Sequence, residues 1–190
     1  MRSDGAVELP TAALDTLQEG VDGLHNCADL DLPTEQLAEL VSATLTLRNQ
    51  LDAALTGLVG RLDEQMRSEQ DSNDPSLSCA AWLREEHHLN SSTAWGQVRL
   101  ARQLRDLPRT RVAFAAGLIS AQHAMVVGRT VDRVVMGGGR AADAEPALIR
   151  EAFERSPSDL LRWAATSATN STPTSWPTKR RRSIAGAGCT

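Results

Sequence analysis

Residues 79–130 read CAAWLREEHHLNSSTAWGQVRLARQLRDLPRTRVAFAAGLISAQHAMVVGRT, and this stretch decides the fold. It divides into two pairs, each a short helix, a polar turn and a longer helix. The first pair joins 79–87 to 92–107 across Leu89-Asn90-Ser91. The second joins 108–116 to 120–131 across Gly117-Leu118-Ile119. This is the layout of helix-turn-helix units, in which the second helix can lie in a DNA groove. Ser76 or Ser78 suits the first helix start, Ser91 or Ser92 the second, and Ser120 the last. The turns want residues that tolerate positive φ. His88 or Asn90 fills that place in the first unit, and Gly117 in the second.

Helix 92–107 buries Ala94, Val98, Ala101 and Leu104 and shows Arg99, Arg102 and Arg105 on its other side. A guanidinium in that position can grip a phosphate or pair with guanine. The same three arginines also suit a merely solvated surface. With Arg109, Arg111, Gln122 and Arg129 they form the expected DNA-contacting set. Trp82, Gly117, Ser120 and His123 are expected to build the turns and core. His123 follows the Ser120 cap by three residues, beside Ala124 and Val127. That suits a hydrogen-bonded histidine fixing the turn better than a catalytic base.

Upstream, Asp31-Leu-Pro-Thr-Glu35 starts a helix that no proline interrupts before about residue 67. Leu37, Leu40, Leu47, Leu51, Ala54 and Leu58 follow steps of three, four or seven, with Thr44 in the gap. Val41, Leu45, Leu55, Val59 and Leu62 widen the stripe. Such a helix is roughly 50 Å long, more than a small core needs. Two readings stand: a long core helix, or a seam for a second copy. Gly57 and Gly60 weaken its later turns.

The flanks divide into three domains. Residues 1–32 are an acidic, loosely ordered arm with one weak amphipathic piece at 11–19, and His25 and Cys27 lie in a Gly/Asp/Asn-rich connection. Residues 33–168 are the helical domain, broken at the polar 69–75 and closed by helices over 141–155 and 158–168. Residues 169–190 are a disordered basic tail holding Lys179–Arg182. Met136-Gly-Gly-Gly-Arg140 is a flexible turn, lacking the order of a phosphate loop. The class is all-α, with one long N-terminal helix followed by a bundle of shorter ones.

Charge is uneven. Residues 1–74 carry fifteen acids and four bases, residues 75–135 four acids and eight bases, within a net charge of −4. A basic middle beside an acidic front suits a DNA-facing segment, and equally chance clustering on a solvated surface. No apolar run reaches a membrane-spanning length, and residues 1–15 lack the form of a signal peptide. Cys27, Cys79 and Cys189 show no ligand spacing and suit a reducing, cytoplasmic setting. No nucleophile–base pair, carboxylate dyad or metal cluster stands out, so the expectation is a non-enzyme without metal or cofactor.

The pieces Ala81-Trp82-Leu83, Val98-Arg-Leu-Ala-Arg102, Leu107-Pro108 and Gly117-x-Ile119-Ser120-x-x-His123-Ala124 together resemble the 13E12 repeat family. That family carries the actinobacterial domain of unknown function 222, and the likeness spans roughly residues 35–165. The last piece also resembles the helix-turn-helix of DNA-binding partition proteins. The resemblance implies a module of mobile-element, nuclease-linked proteins, whose members commonly continue into an HNH endonuclease domain. No residue here matches that domain, so no catalytic residue carries over and the chain is expected to be truncated. One codon choice for 167–183, read in another frame, spells an acidic string suited to the family's continuation, so a frameshift is the expected origin of the tail. The expected partner is double-stranded DNA. The alternatives are a homodimer through the long helix, or an inert remnant.

Overall fold

Capping chemistry sets most helix starts. The Ser78 side chain accepts from the Ala81 N–H, Asn90 from Thr93, Ser120 from His123 and Ser156 from Asp159. Each satisfies an amide that the first turn leaves unpaired. The computed structural model describes residues 11–69 and 78–170, the side chains of 69 and 167–170 excepted. Within these residues lie eight helices and no strand. They are α1 (Thr11–Ala28), α2 (Thr34–Glu69), α3 (Cys79–His87), α4 (Ser91–Gln103), α5 (Pro108–Ala115), α6 (Ala121–Met136), α7 (Ala141–Ala152) and α8 (Pro157–Asn170). The expected all-α class, with one long helix ahead of shorter ones, is the class observed. The basic tail and most of the polar break at 69–75 lie outside the described residues.

The chain divides into two units, residues 1–42 and 43–190. In the first, α1 buries none of its residues. It also corrects an expectation: His25 and Cys27 lie in its last turns, not in a connection. Leu14, Leu17, Val21 and Leu24 keep a three-four spacing across Gly20 and Gly23. Two interior glycines cost about 1 kcal/mol each without forbidding a helix.

The second unit holds two apolar clusters. The smaller joins Val59 of α2 to Cys79, Ala80 and Leu83 of α3 and Ala94, Val98 and Ala101 of α4, with Trp82 packed at its edge. The larger gathers Leu100, Leu104, Leu107, Phe114, Ile119, Val127, Leu148 and Leu160. At its centre α6 touches α4, α5, α7 and α8. Helix α5 starts without a side-chain cap, because Leu107 precedes it. The buried Glu145 of α7 takes over that duty. Its Oε1 accepts from the Thr110 N–H at 2.8 Å and the Thr110 hydroxyl at 2.9 Å.

Several helix ends differ from expectation, among them α7, which closes at Ala152 and not at 155. Helix α4 stops at Gln103, not 107: the Arg105 and Asp106 amides turn back to the Arg102 and Gln103 carbonyls three residues before, and Leu107, ahead of Pro108, leaves helical geometry. Helix α6 runs past 131 to Met136, because nothing breaks it before the glycines at 137–139.

Candidate interaction surface

Arg99 and Arg102 of α4, and Arg105 in the turn just after it, reach towards the neighbouring helices. Arg102 Nε and Nη2 donate to Asp63 Oδ2 and Oδ1 of α2 at 2.8 and 2.7 Å, a two-pronged pair on a carboxylate only 2% exposed. Arg67 stands 3.6 Å from the same carboxylate. Arg105 pairs with Glu64 at 2.7 Å and donates to the Gly60 carbonyl at 3.0 Å. Arg99 pairs with Asp132 of α6 at 2.7 Å, and Gln103 donates to that same carboxylate at 2.6 Å. The row expected to face DNA therefore ties α4 to α2 on one side and to α6 on the other. A guanidinium held by a carboxylate is a poorer phosphate ligand than a free one, since the ion pair must first be broken.

The Arg102 hydrogen bond holds the Asp63 carboxyl below the usual carboxylate range, against the opposing effect of burial. Burial, with Asp63 nearby, pushes the Cys79 thiol up. Its sulfur donates to the Val59 carbonyl, so it acts as a small apolar core group. Sequence reasoning missed Asp63. The signal was there in Asn49, Thr56 and Asp63, polar residues seven apart on a long helix.

Both ring nitrogens of His123 are occupied. Nδ1 lies 2.9 Å from Ser120 Oγ and accepts from the Ser120 N–H, completing a capping box. Nε2 lies 2.8 Å from the Arg155 carbonyl, which accepts only, so Nε2 carries the hydrogen. His123 locks the turn before α6 to the connection between α7 and α8. Gly117 sits in that turn at φ +74°, and a Cβ there would lie 2.7 Å from the Thr46 carbonyl oxygen. Asn49 donates to the Gly117 carbonyl at 3.1 Å. His88 takes the left-handed position of the first turn at φ 53°. Among the described residues no group of three or more His, Cys, Asp or Glu is placed to hold a metal, and no helix is long and apolar enough to cross a membrane.

The remaining expected contacts stay on the surface. Arg109, Arg111, Gln122 and Arg129 are exposed. Arg109, Arg111 and Arg129 have no carboxylate partner among the described residues. Arg111 and Arg61 rim a groove of about 470 Å³ floored by Ala53, Ala54, Leu104 and Phe114.

The largest apolar exposure belongs to α2. Its inward row is Asn49, Thr56, Val59, Gly60 and Asp63, half-buried or buried. The apolar stripe points elsewhere: Leu37, Leu47, Leu51 and Leu58 are 46–68% exposed, and Val41, Leu45 and Leu55 are comparably open. Of the two readings of this helix, the leucine stripe is not the face that meets the core. In heptad terms Leu37, Leu40, Thr44, Leu47, Leu51, Ala54 and Leu58 occupy a and d, while Asn49, Thr56 and Asp63 occupy f on the opposite side.

A family model described as "Domain of unknown function (DUF222)" matches residues 37–182, further along the chain than the expected 165. No curated protein and no solved structure matches the chain.

Proposed function

Because the chain belongs to the family described as Domain of unknown function (DUF222), we propose that it is a non-catalytic module for helix-mediated protein association, working in the cytoplasm. One observation carries this: Leu37, Leu47, Leu51 and Leu58 of α2, at a and d spacing, lie in solvent on the side opposite the helix's own core. Soluble proteins seldom leave so long an apolar strip uncovered, and a strip of this repeat fits a helix of the same repeat. By the 13E12 resemblance, the module is an assembly unit of a mobile-element protein of the HNH-linked kind. A labelled peptide copying residues 34–69 tests the proposal. It is expected to bind the full chain in fluorescence anisotropy and to lose at least about tenfold in affinity, or about 1.4 kcal/mol, when the chain carries Leu51→Glu and Leu58→Glu. Binding that ignores both substitutions contradicts the proposal.

A second reading keeps duplex DNA as a partner, favoured by the exposed Arg109, Arg111, Gln122 and Arg129 on α5 and α6. On this reading binding weakens steeply with salt, and Arg109→Ala with Arg111→Ala reduces the slope of log K against log salt by about two. Binding indifferent to salt rejects it.

A further inference from the structure

The occupant of the α2 outer face can be inferred from the order of residues along that face, given the association reading above. The a and d residues are Leu37, Leu40, Thr44, Leu47, Leu51, Ala54 and Leu58, and Arg61 takes the next d place. Turned end for end about Asn49, the list matches itself in side-chain size. Leu40 meets Leu58, Thr44 meets Ala54, and Leu47 meets Leu51, so each large residue faces a large one and each small residue a small one. An unrelated partner would place no such symmetry on this helix.

Charge selects the same orientation. The N-terminal end of α2 carries Glu35 and Glu39, and the C-terminal end carries Arg61. Arg61 has no carboxylate partner among the described residues, while nearby Asp63 and Glu64 are already engaged by Arg102 and Arg105. A parallel pair would stack Arg61 on its own copy within the seam. An antiparallel pair brings Arg61 against Leu37 near the partner's acidic end, and also opposes the two helix dipoles. The stretch from 37 to 61 covers about 36 Å and about three and a half heptads, within the range that sustains a coiled coil. Asn49, Thr56 and Asp63 face the core from the f positions, and along the seam only Ala54 and Arg61 border the groove beside Leu104 and Phe114.

We propose that two copies of this chain pair antiparallel along α2, Leu47 of each against Leu51 of the partner subunit. The test is a spin-label distance in the full chain, with Cys27→Ser and Cys189→Ser to remove reactive thiols and a nitroxide at Glu39→Cys, an exposed c position off the seam. Residue 39 lies opposite residue 59 of the partner subunit, so the antiparallel pair predicts a separation of about 30 Å or more at 1.5 Å per residue. The dipolar signal should vanish on adding Leu51→Glu and Leu58→Glu. A distance below about 20 Å would mean a parallel pair and overturn the orientation, leaving the association reading intact. No dipolar signal at all, with the 34–69 peptide failing to bind as well, would overturn self-pairing alone and leave the face to a different helix. A signal that survives both glutamates would place the contact off α2 and overturn the proposal together with the reading beneath it.

Discussion

Replacing Arg102 with alanine is expected to lower stability by about 3 kcal/mol at neutral pH, and Arg99→Ala by less than about 1 kcal/mol. Neighbours on one helix, these arginines differ in what they leave behind. Without Arg102, the carboxylate of Asp63 stays buried with only the longer Arg67 contact at 3.6 Å. Asp132 by contrast is 40% exposed and keeps the amide of Gln103. Denaturant titration of the two variants measures the gap. Equal losses would mean that the arginines act as a solvated surface.

The same pair gives a pH dependence. Asp63 binds its proton more weakly in the fold than in the unfolded chain, so the unfolded chain takes up more protons as pH falls. The stabilisation is complete above about pH 4 and declines below it, as Asp63 protonates and the pair with Arg102 is lost. Asp63→Asn should therefore be less stable at neutral pH and show a flatter acid limb.

The second large effect is expected at Gly117. Alanine there should cost about 3 kcal/mol or more, because two penalties add. The left-handed conformation costs roughly 1–2 kcal/mol for a residue with a Cβ. The new Cβ would also sit 2.7 Å from the Thr46 carbonyl and 2.8 Å from its methyl group, in a helix that cannot yield locally. Relieving that contact would pull α2 from the turn and stretch the Asn49 hydrogen bond to the Gly117 carbonyl. His88, the other key turn residue, is the control. It is exposed at φ 53°, so glycine there should be neutral or stabilise by up to about 1 kcal/mol. Thermal melts showing the same loss at both positions would refute the argument.

Local chemistry was legible in the sequence and tertiary pairing was not. Ser78 and Ser120 cap helices, Gly117 takes the left-handed turn, and His123 fixes it, all through residues a few positions apart; α4 alone differs, capped by Asn90 and not by Ser91 or Ser92. The arginine row was the harder case. Spacing by three puts Arg99, Arg102 and Arg105 on one broad arc of a helix but does not say what lies across from them. Their partners Asp63, Glu64 and Asp132 are about thirty to forty residues away, on α2 and α6. The long helix was mixed. Its leucine stripe and heptad steps were plain, yet a stripe alone does not tell core from seam. What separates the two is the polar row Asn49, Thr56 and Asp63, which packs inward because the Gly117 turn bonds Asn49, Arg102 bonds Asp63, and Thr56 donates to the Asp52 carbonyl of its own helix. In α1, two glycines concealed a helix that the leucine spacing carried through.

Sedimentation equilibrium of the full chain against its Leu51→Glu/Leu58→Glu variant tests the central claim, that two copies of the chain associate through the leucine face of α2. The unsubstituted chain should approach twice its 20.5 kDa mass at micromolar concentrations, while the variant stays at 20.5 kDa with unchanged helical circular dichroism. Equal masses for the two proteins, or unfolding of the variant, would contradict the claim.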